Sequence, residues 1–114
     1  MIKIKRAYEK TQRGDGFRIL VDRLWPRGMS KEKEHLHLWL KDIAPTTELR
    51  EAFGHEVEHW QEFVHAYVKE LENKTDLLKQ IKQLEKEHGT VTLVYGAKDT
   101  EHNNAVVLQK VLQS

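Results

Sequence analysis

The sequence predicts an α/β fold: a single small domain with a parallel or mixed sheet of about three to four strands and helices packed over it. Three observations lead there. Two short strand patterns open the chain, and a third, TVTLVYGA at 90–97, comes late. Helical patterns fill most of the stretch between and the end of the chain. The 114 residues contain no repeat, no low-complexity segment and no linker, so 1–114 reads as one domain around one modest core.

Residues 2–8, IKIKRAY, alternate apolar and basic, the pattern of a half-buried strand. Residues 9–16, EKTQRGDG, form a polar loop. FRILVD at 17–22 is a second strand, and the unbroken Ile19-Leu20-Val21 points to burial on both faces. Pro26 and Gly28 end it. The 9–16 loop is short for a parallel crossover, which takes about a dozen residues or more, so an antiparallel pairing of the first two strands stays open.

Residues 30–45 are ambiguous. Ser30 suits the cap of a short helix, yet Leu36, Leu38 and Leu40 alternate with His37, Trp39 and Lys41 as in an extended segment. Thr47 reads as the N-cap of a short helix ending at Phe53, with Gly54 as its stop. Residues 56–72 form a helix whose Val57, Trp60, Phe63, Val64, Tyr67, Val68 and Leu71 fill one arc roughly 140° wide. Another helix starts at Thr75-Asp76, repeats Leu77, Leu78, Ile81 and Leu84, and stops at Gly89. After the strand at 90–97, Asp99 or Thr100 caps a last helix with Ala105, Leu108, Val111 and Leu112 on one side.

Composition narrows the function. Nineteen basic and 18 acidic residues give a net charge of +1, so no global field draws the chain to nucleic acid or membrane. Cysteine is absent, which excludes disulfides, thiolate catalysis and Cys-ligated metals. The opening residues lack the apolar stretch of a signal peptide, and no apolar run approaches a membrane span, so the expectation is a cytoplasmic protein.

One motif invites a metal. His55-Glu56-Val57-Glu58-His59 fits H-E-x-x-H, in which two histidines one helical turn apart bind zinc and the glutamate activates water. Gly54 precedes it, however, so the motif sits at a helix start. On the wheel His55 and His59 project roughly 130–150° from the centre of the apolar arc, toward water. A third ligand is not specified by any spacing. The reading is a solvated helix face, with no metal and no cofactor expected.

The strand ends are better candidates. VDRLWPRG at 21–28 delivers Asp22, Arg23, Trp25 and Arg27 beyond a buried strand, where ligands gather in α/β folds. Arginines fork onto phosphate or carboxylate and stack on rings. The same residues also suit a purely structural lock of the corner. YGAKDTEHNNA at 95–105 offers Gly96, Lys98, Asp99, Asn103 and Asn104 where a strand passes into a helix. If the two strands are parallel neighbours, both loops line one pocket. Asp22 and Asp99 would then be opposing carboxylates, candidates for catalysis or for Mg²⁺.

These strings carry a resemblance. DGFRILVDRLWPRG at 15–28, WLKDIAPTTELR at 39–50, the Trp60–Phe63–Tyr67–Glu70–Leu71 spacing and TLVYGAKDTEHNNAVVL at 92–108 together span nearly the whole chain. It resembles the YeaO-like family of uncharacterised bacterial proteins, a domain-of-unknown-function family. Thr46 stands where that family usually has Ser, which keeps a hydroxyl cap. The resemblance implies a compact α/β domain in the bacterial cytoplasm and points to the same loops, without supplying a reaction or cofactor.

The leading expectation is a protein binding an anionic, phosphate-bearing small molecule through Arg23, Trp25, Arg27, Lys98, Asn103 and Asn104. The alternatives are a phosphate-ester hydrolase using Asp22 and Asp99, and a non-catalytic protein- or nucleic-acid-interaction module using Lys3, Lys5, Arg6, Arg13 and Arg18. No membrane contact and no specific DNA binding are expected, since the charge is balanced and no reading helix is recognisable.

Overall fold

The structure, a computed structural model, describes residues 1–114 apart from the side chains of residues 33 and 34. Four strands form one sheet: β1 (Ile2–Arg6), β2 (Phe17–Leu20), β3 (Leu38–Trp39) and β4 (Val91–Tyr95). Their order is β1-β4-β2-β3, and every neighbouring pair is parallel. The helices are α1 (Lys31–Glu34), α2 (Thr47–Phe53), α3 (Trp60–Glu72), α4 (Thr75–His88) and α5 (Asn104–Gln113).

The antiparallel alternative for the first two strands is therefore corrected: β4 lies between them, with Leu93 facing Ile4 on one side and Ile19 on the other. The crossover through residues 7–16 contains a single 3₁₀ turn at Arg13–Asp15. Lys3 Nζ donates to the Gly14 carbonyl at 3.1 Å and Lys5 Nζ to Asp15 at 3.0 Å, so the loop runs back along the sheet. Gly16, at φ 64°, makes the final turn so close to Thr90 that a Cβ there would lie 2.4 Å from the Thr90 carbonyl oxygen.

The alternation of side chains gives the sheet two unlike faces. Ile2, Ile19, Val21, Val91, Leu93 and Tyr95 point into the main core with Phe63, Tyr67, Leu71, Ile81, Leu108 and Leu112 from α3, α4 and α5. On the other face, Leu20 and Val94 lie under Trp25, Leu36 and Trp39. At its amino-terminal end that face carries a charge network. Arg18, 2% exposed, donates to Asp15 at 2.6 Å, and Lys5 donates to the same carboxylate. Breaking such a buried group costs about 3–5 kcal/mol, because the remaining charges lose their partner.

Helix boundaries differ from the sequence expectations in instructive places. Thr46, rather than Thr47, caps α2, its hydroxyl accepting from the Leu49 N–H at 3.2 Å. Gly54 ends α2 in the left-handed region, as expected. The helix expected from residue 56 begins only at Trp60. His55 is itself left-handed at φ 58° and Glu56 is extended, so Val57–His59 forms a separate 3₁₀ turn and Val57 is 57% exposed instead of core. Asn103, rather than Asp99 or Thr100, caps α5 through its bond from the Val106 N–H at 3.1 Å. The ambiguous 30–45 stretch resolves into α1, β3 and a 3₁₀ turn at Lys41–Ile43.

Candidate functional site

β2 and β4 are parallel neighbours, so the loops that follow them meet at their carboxyl ends. From there β2 leads on toward β3, while β4 leads into α5, which packs against β1. The crevice between two such diverging connections is where α/β sheets bind ligands. It opens here as a cavity of about 240 Å³.

Its walls come from several parts of the chain, with Tyr8 beyond β1 and Phe63 of α3 among them. The β2 loop supplies Asp22 through Arg27, the β4 loop and α5 supply Gly96, Asn103 and Asn104, and α2 with its flanks supplies Ala44, Pro45, Arg50, Phe53 and His55. Of the expected site residues, Asp22, Arg23, Trp25, Arg27, Asn103 and Asn104 line it. Lys98 and Asp99 do not. Lys98 is exposed, and Asp99 is turned into a local loop, accepting from the Glu101 N–H at 2.9 Å and meeting His102 Nδ1 at 2.9 Å. The Glu101 N–H, then His102, hold its carboxyl below the usual range. The opposed Asp22–Asp99 pair is therefore not formed in this cavity.

Asp22 fastens the two strand ends together. Its Oδ2 accepts the Gly96 N–H at 2.8 Å. A Cβ on residue 96 would lie 3.2 Å from that oxygen, which is why glycine fits there. Asn104 Nδ2 donates to the Val21 carbonyl at 3.0 Å, tying α5 to β2. Burial pushes the Asp22 carboxyl above its usual range, against the opposing pull of Gly96, Asn104, Arg50 and His55.

Arg23 serves partly as the lock that the sequence also allowed. It donates to the Pro45 and Ala44 carbonyls, both at 3.3 Å. That wall is held from behind as well. Lys74 Nζ donates to the Ala44 carbonyl at 2.9 Å, Tyr67 OH donates to the Ile43 carbonyl at 2.7 Å, and Glu70 accepts from both the N–H and the hydroxyl of Thr46. Those bonds leave three of the five guanidinium N–H groups of Arg23 for other partners. Trp25 spends its indole N–H on the Met29 carbonyl at 2.7 Å and packs edge-on against Trp39, so it offers the cavity ring surface.

Two lining residues with basic side chains escaped the sequence reading. Arg50 is one, and its Nε is buried without a hydrogen-bond partner among the described residues. The signal was present: Arg50 precedes the core residue Phe53 by three, so both fall on one side of α2. His55 is the other. Its left-handed backbone brings the ring beside Phe53, with centroids 5.8 Å apart, at the cavity edge rather than away from any cleft. Among the described residues no three His, Asp or Glu side chains come together as metal ligands.

The basic residues near the amino terminus face other tasks. Lys3 and Lys5 bind the crossover loop, and Arg6 Nε donates to the Ala97 carbonyl at 2.9 Å. Arg18 is buried. No helix among the described residues is long and apolar enough to cross a membrane.

Fold and site together define a small α/β domain with an arginine-lined cavity at the carboxyl ends of a parallel sheet. The chain belongs to the family described as the inactive DUF488-N3 subclade, whose model matches residues 1–114. It is 43% identical over 113 residues to the uncharacterized protein YeaO of Escherichia coli, covering 99% of this chain and 97% of that protein. It is 36% identical over 113 residues to the uncharacterized proteins Rv3073c of Mycobacterium tuberculosis and Mb3100c of Mycobacterium bovis, covering 97% of this chain and 92% of each. No solved structure matches it.

Proposed function

We propose that the chain binds an anionic, phosphate-bearing small molecule in the strand-end cavity. The observation that carries this reading is Arg50, a residue of the cavity wall whose buried Nε lacks a hydrogen-bond partner among the described residues. A buried donor without a partner costs about 1–3 kcal/mol, more when charged, and so calls for a functional explanation. An oxyanion supplies one, since guanidinium and phosphate pair by parallel hydrogen bonds.

Charge supports the same reading. Arg23, Arg27 and Arg50 face one carboxylate, Asp22, which leaves a formal +2 with His55 neutral. That matches a dianion such as a phosphomonoester. The Arg27 side chain has no hydrogen bond or ion pair to any described residue, so it is available to a ligand. A binding role also suits a family described as an inactive subclade. The hydrolytic alternative loses its second carboxylate with Asp99 outside the cavity.

The test is a titration with inorganic phosphate followed by amide NMR shifts. Movement confined to residues 22–27, 50–55, 96 and 103–104, abolished in Arg50→Gln, is the expected result. Absence of shifts there in the native chain would remove the proposal.

A further inference from the structure

Inorganic phosphate leaves much of this cavity unexplained. At about 240 Å³ the cavity lies just below the range of about 300–1,000 Å³ that holds drug-sized ligands, yet it is roomy for a single tetrahedral anion. Its charged groups share the lining with carbon: Leu24, Trp25, Pro26, Pro45, Phe53 and Phe63 all contribute. Leu24 is 57% exposed although it sits on a cavity wall, so its apolar surface is uncovered. A bare oxyanion gains nothing from that surface.

The shapes on offer favour a flat partner. Trp25 presents ring surface, because its only polar atom is committed to Met29. The planar guanidinium of Arg27 is unpaired among the described residues and so is free to stack on a ring while its edge meets an anion. The ring of His55 is held at the edge against Phe53, which in turn stacks on Phe63 at 4.6 Å. His55 keeps this position with φ at 58°, a conformation that an ordinary L-residue adopts at a cost. Strain of that kind at a cavity edge points to a role in shaping the site rather than in folding.

We propose that the occupant is a phosphomonoester dianion carried on a compact planar apolar group of single-ring size. The phosphate end is assigned to Arg50, Arg23 and Arg27, and the ring to the surface formed by Leu24, Trp25 and His55. This rests on the anion reading above and deepens it: the head supplies charge pairing, and the body supplies discrimination among phosphate esters.

Isothermal calorimetry on the full chain at pH 8 separates the two. The probes are methyl phosphate, phenyl phosphate and phenyl sulfate. Phenyl phosphate is expected to bind about tenfold tighter than methyl phosphate, a difference of about 1.4 kcal/mol. Leu24→Ser, a change at an exposed position, is expected to shrink that ratio to about threefold, a loss of about 0.7 kcal/mol. Phenyl sulfate, the same shape with one charge fewer, is expected to bind at least tenfold more weakly than phenyl phosphate. Equal affinity for methyl and phenyl phosphate overturns the ring assignment and leaves the anion reading standing. Equal affinity for phenyl sulfate and phenyl phosphate overturns the dianion. Binding of none of the three overturns both proposals.

Discussion

Replacing Asp22 by Asn tests where the anion sits, because losing a negative charge beside it tightens binding. Among the described residues, Asp22 is the single carboxylate lining a cavity that otherwise carries three guanidinium groups. An anion in a space of about 240 Å³ stays near every wall. At roughly 6 Å and an effective dielectric of about 20, one charge pair is worth about 3 kcal/mol. Asp22 is only part-buried, so solvent screening reduces this to about 1–1.5 kcal/mol, on the order of tenfold in affinity. Asn keeps an oxygen to accept the Gly96 N–H, so the strand ends remain fastened. Asp22→Asn is therefore expected to bind sulfate about tenfold more tightly at pH 7 by calorimetry. Unchanged or weaker binding by a folded variant would refute the placement of the anion beside Asp22.

The same carboxyl gives a pH signature. Burial raises its folded pKa above the ordinary 3.8. The folded state thus holds the proton better than the unfolded chain does. The stability associated with this proton is fully present below pH 3.8 and is lost as pH rises through the raised folded value. Sulfate, a dianion throughout this range, is expected to bind more tightly as pH falls through that value and Asp22 neutralises. In Asp22→Asn this rise should vanish.

Three further outcomes follow from the fold. Asp15→Ala takes the shared carboxylate from Arg18 and Lys5 and is expected to destabilise the protein by about 3–5 kcal/mol in urea unfolding. The Asp15 carboxyl has the opposite sign to Asp22: burial pushes it up, but the Gln12 N–H, Lys5 and Arg18 together bring it below 3.8. Its contribution is present above pH 3.8 and lost as pH falls through the lowered folded value, so the gap between native and variant should narrow in acid. Gly16→Ala drives a Cβ against the Thr90 carbonyl at positive φ and is expected to cost more than about 2 kcal/mol, whereas Gly89→Ala, with nothing within 4 Å, should cost about 1 kcal/mol. Equal losses at the two glycines would contradict the close packing of the crossover loop.

What the sequence revealed depended on how local each signal was. β4 was readable because Val91 through Tyr95 are all buried, which leaves a β-branched and aromatic run whose one polar member, Thr92, spends its hydroxyl on the Asp15 carbonyl. Its place between β1 and β2 was not, because alternation reports burial and not the identity of a neighbour. The late start of α3 was hidden by His55, a left-handed residue that is not glycine. Arg18 shows the limit of the burial argument in β2: it is as enclosed as its apolar neighbours because Asp15 folds back to meet it from a loop that looked merely polar. In the site, Asp22, Arg23 and Arg27 were legible as residues beyond a strand end. Lys98 and Asp99 occupied an equivalent position in sequence and fell outside the cavity, since the loop closes on itself through Asp99, His102 and Asn103. Arg50 was missed because it reaches the site from a helix that follows neither strand.

Everything proposed for the strand-end cavity depends on an oxyanion seated on Arg50. A crystal structure of the protein soaked in molybdate, a tetrahedral dianion with a strong anomalous signal, tests it most directly. An anomalous peak is expected within hydrogen-bonding reach of the Arg50 guanidinium, between Arg23 and Arg27. A cavity without a peak at full occupancy of the soak, with the Arg50 side chain turned to bond Asp22 or bulk water, would contradict it.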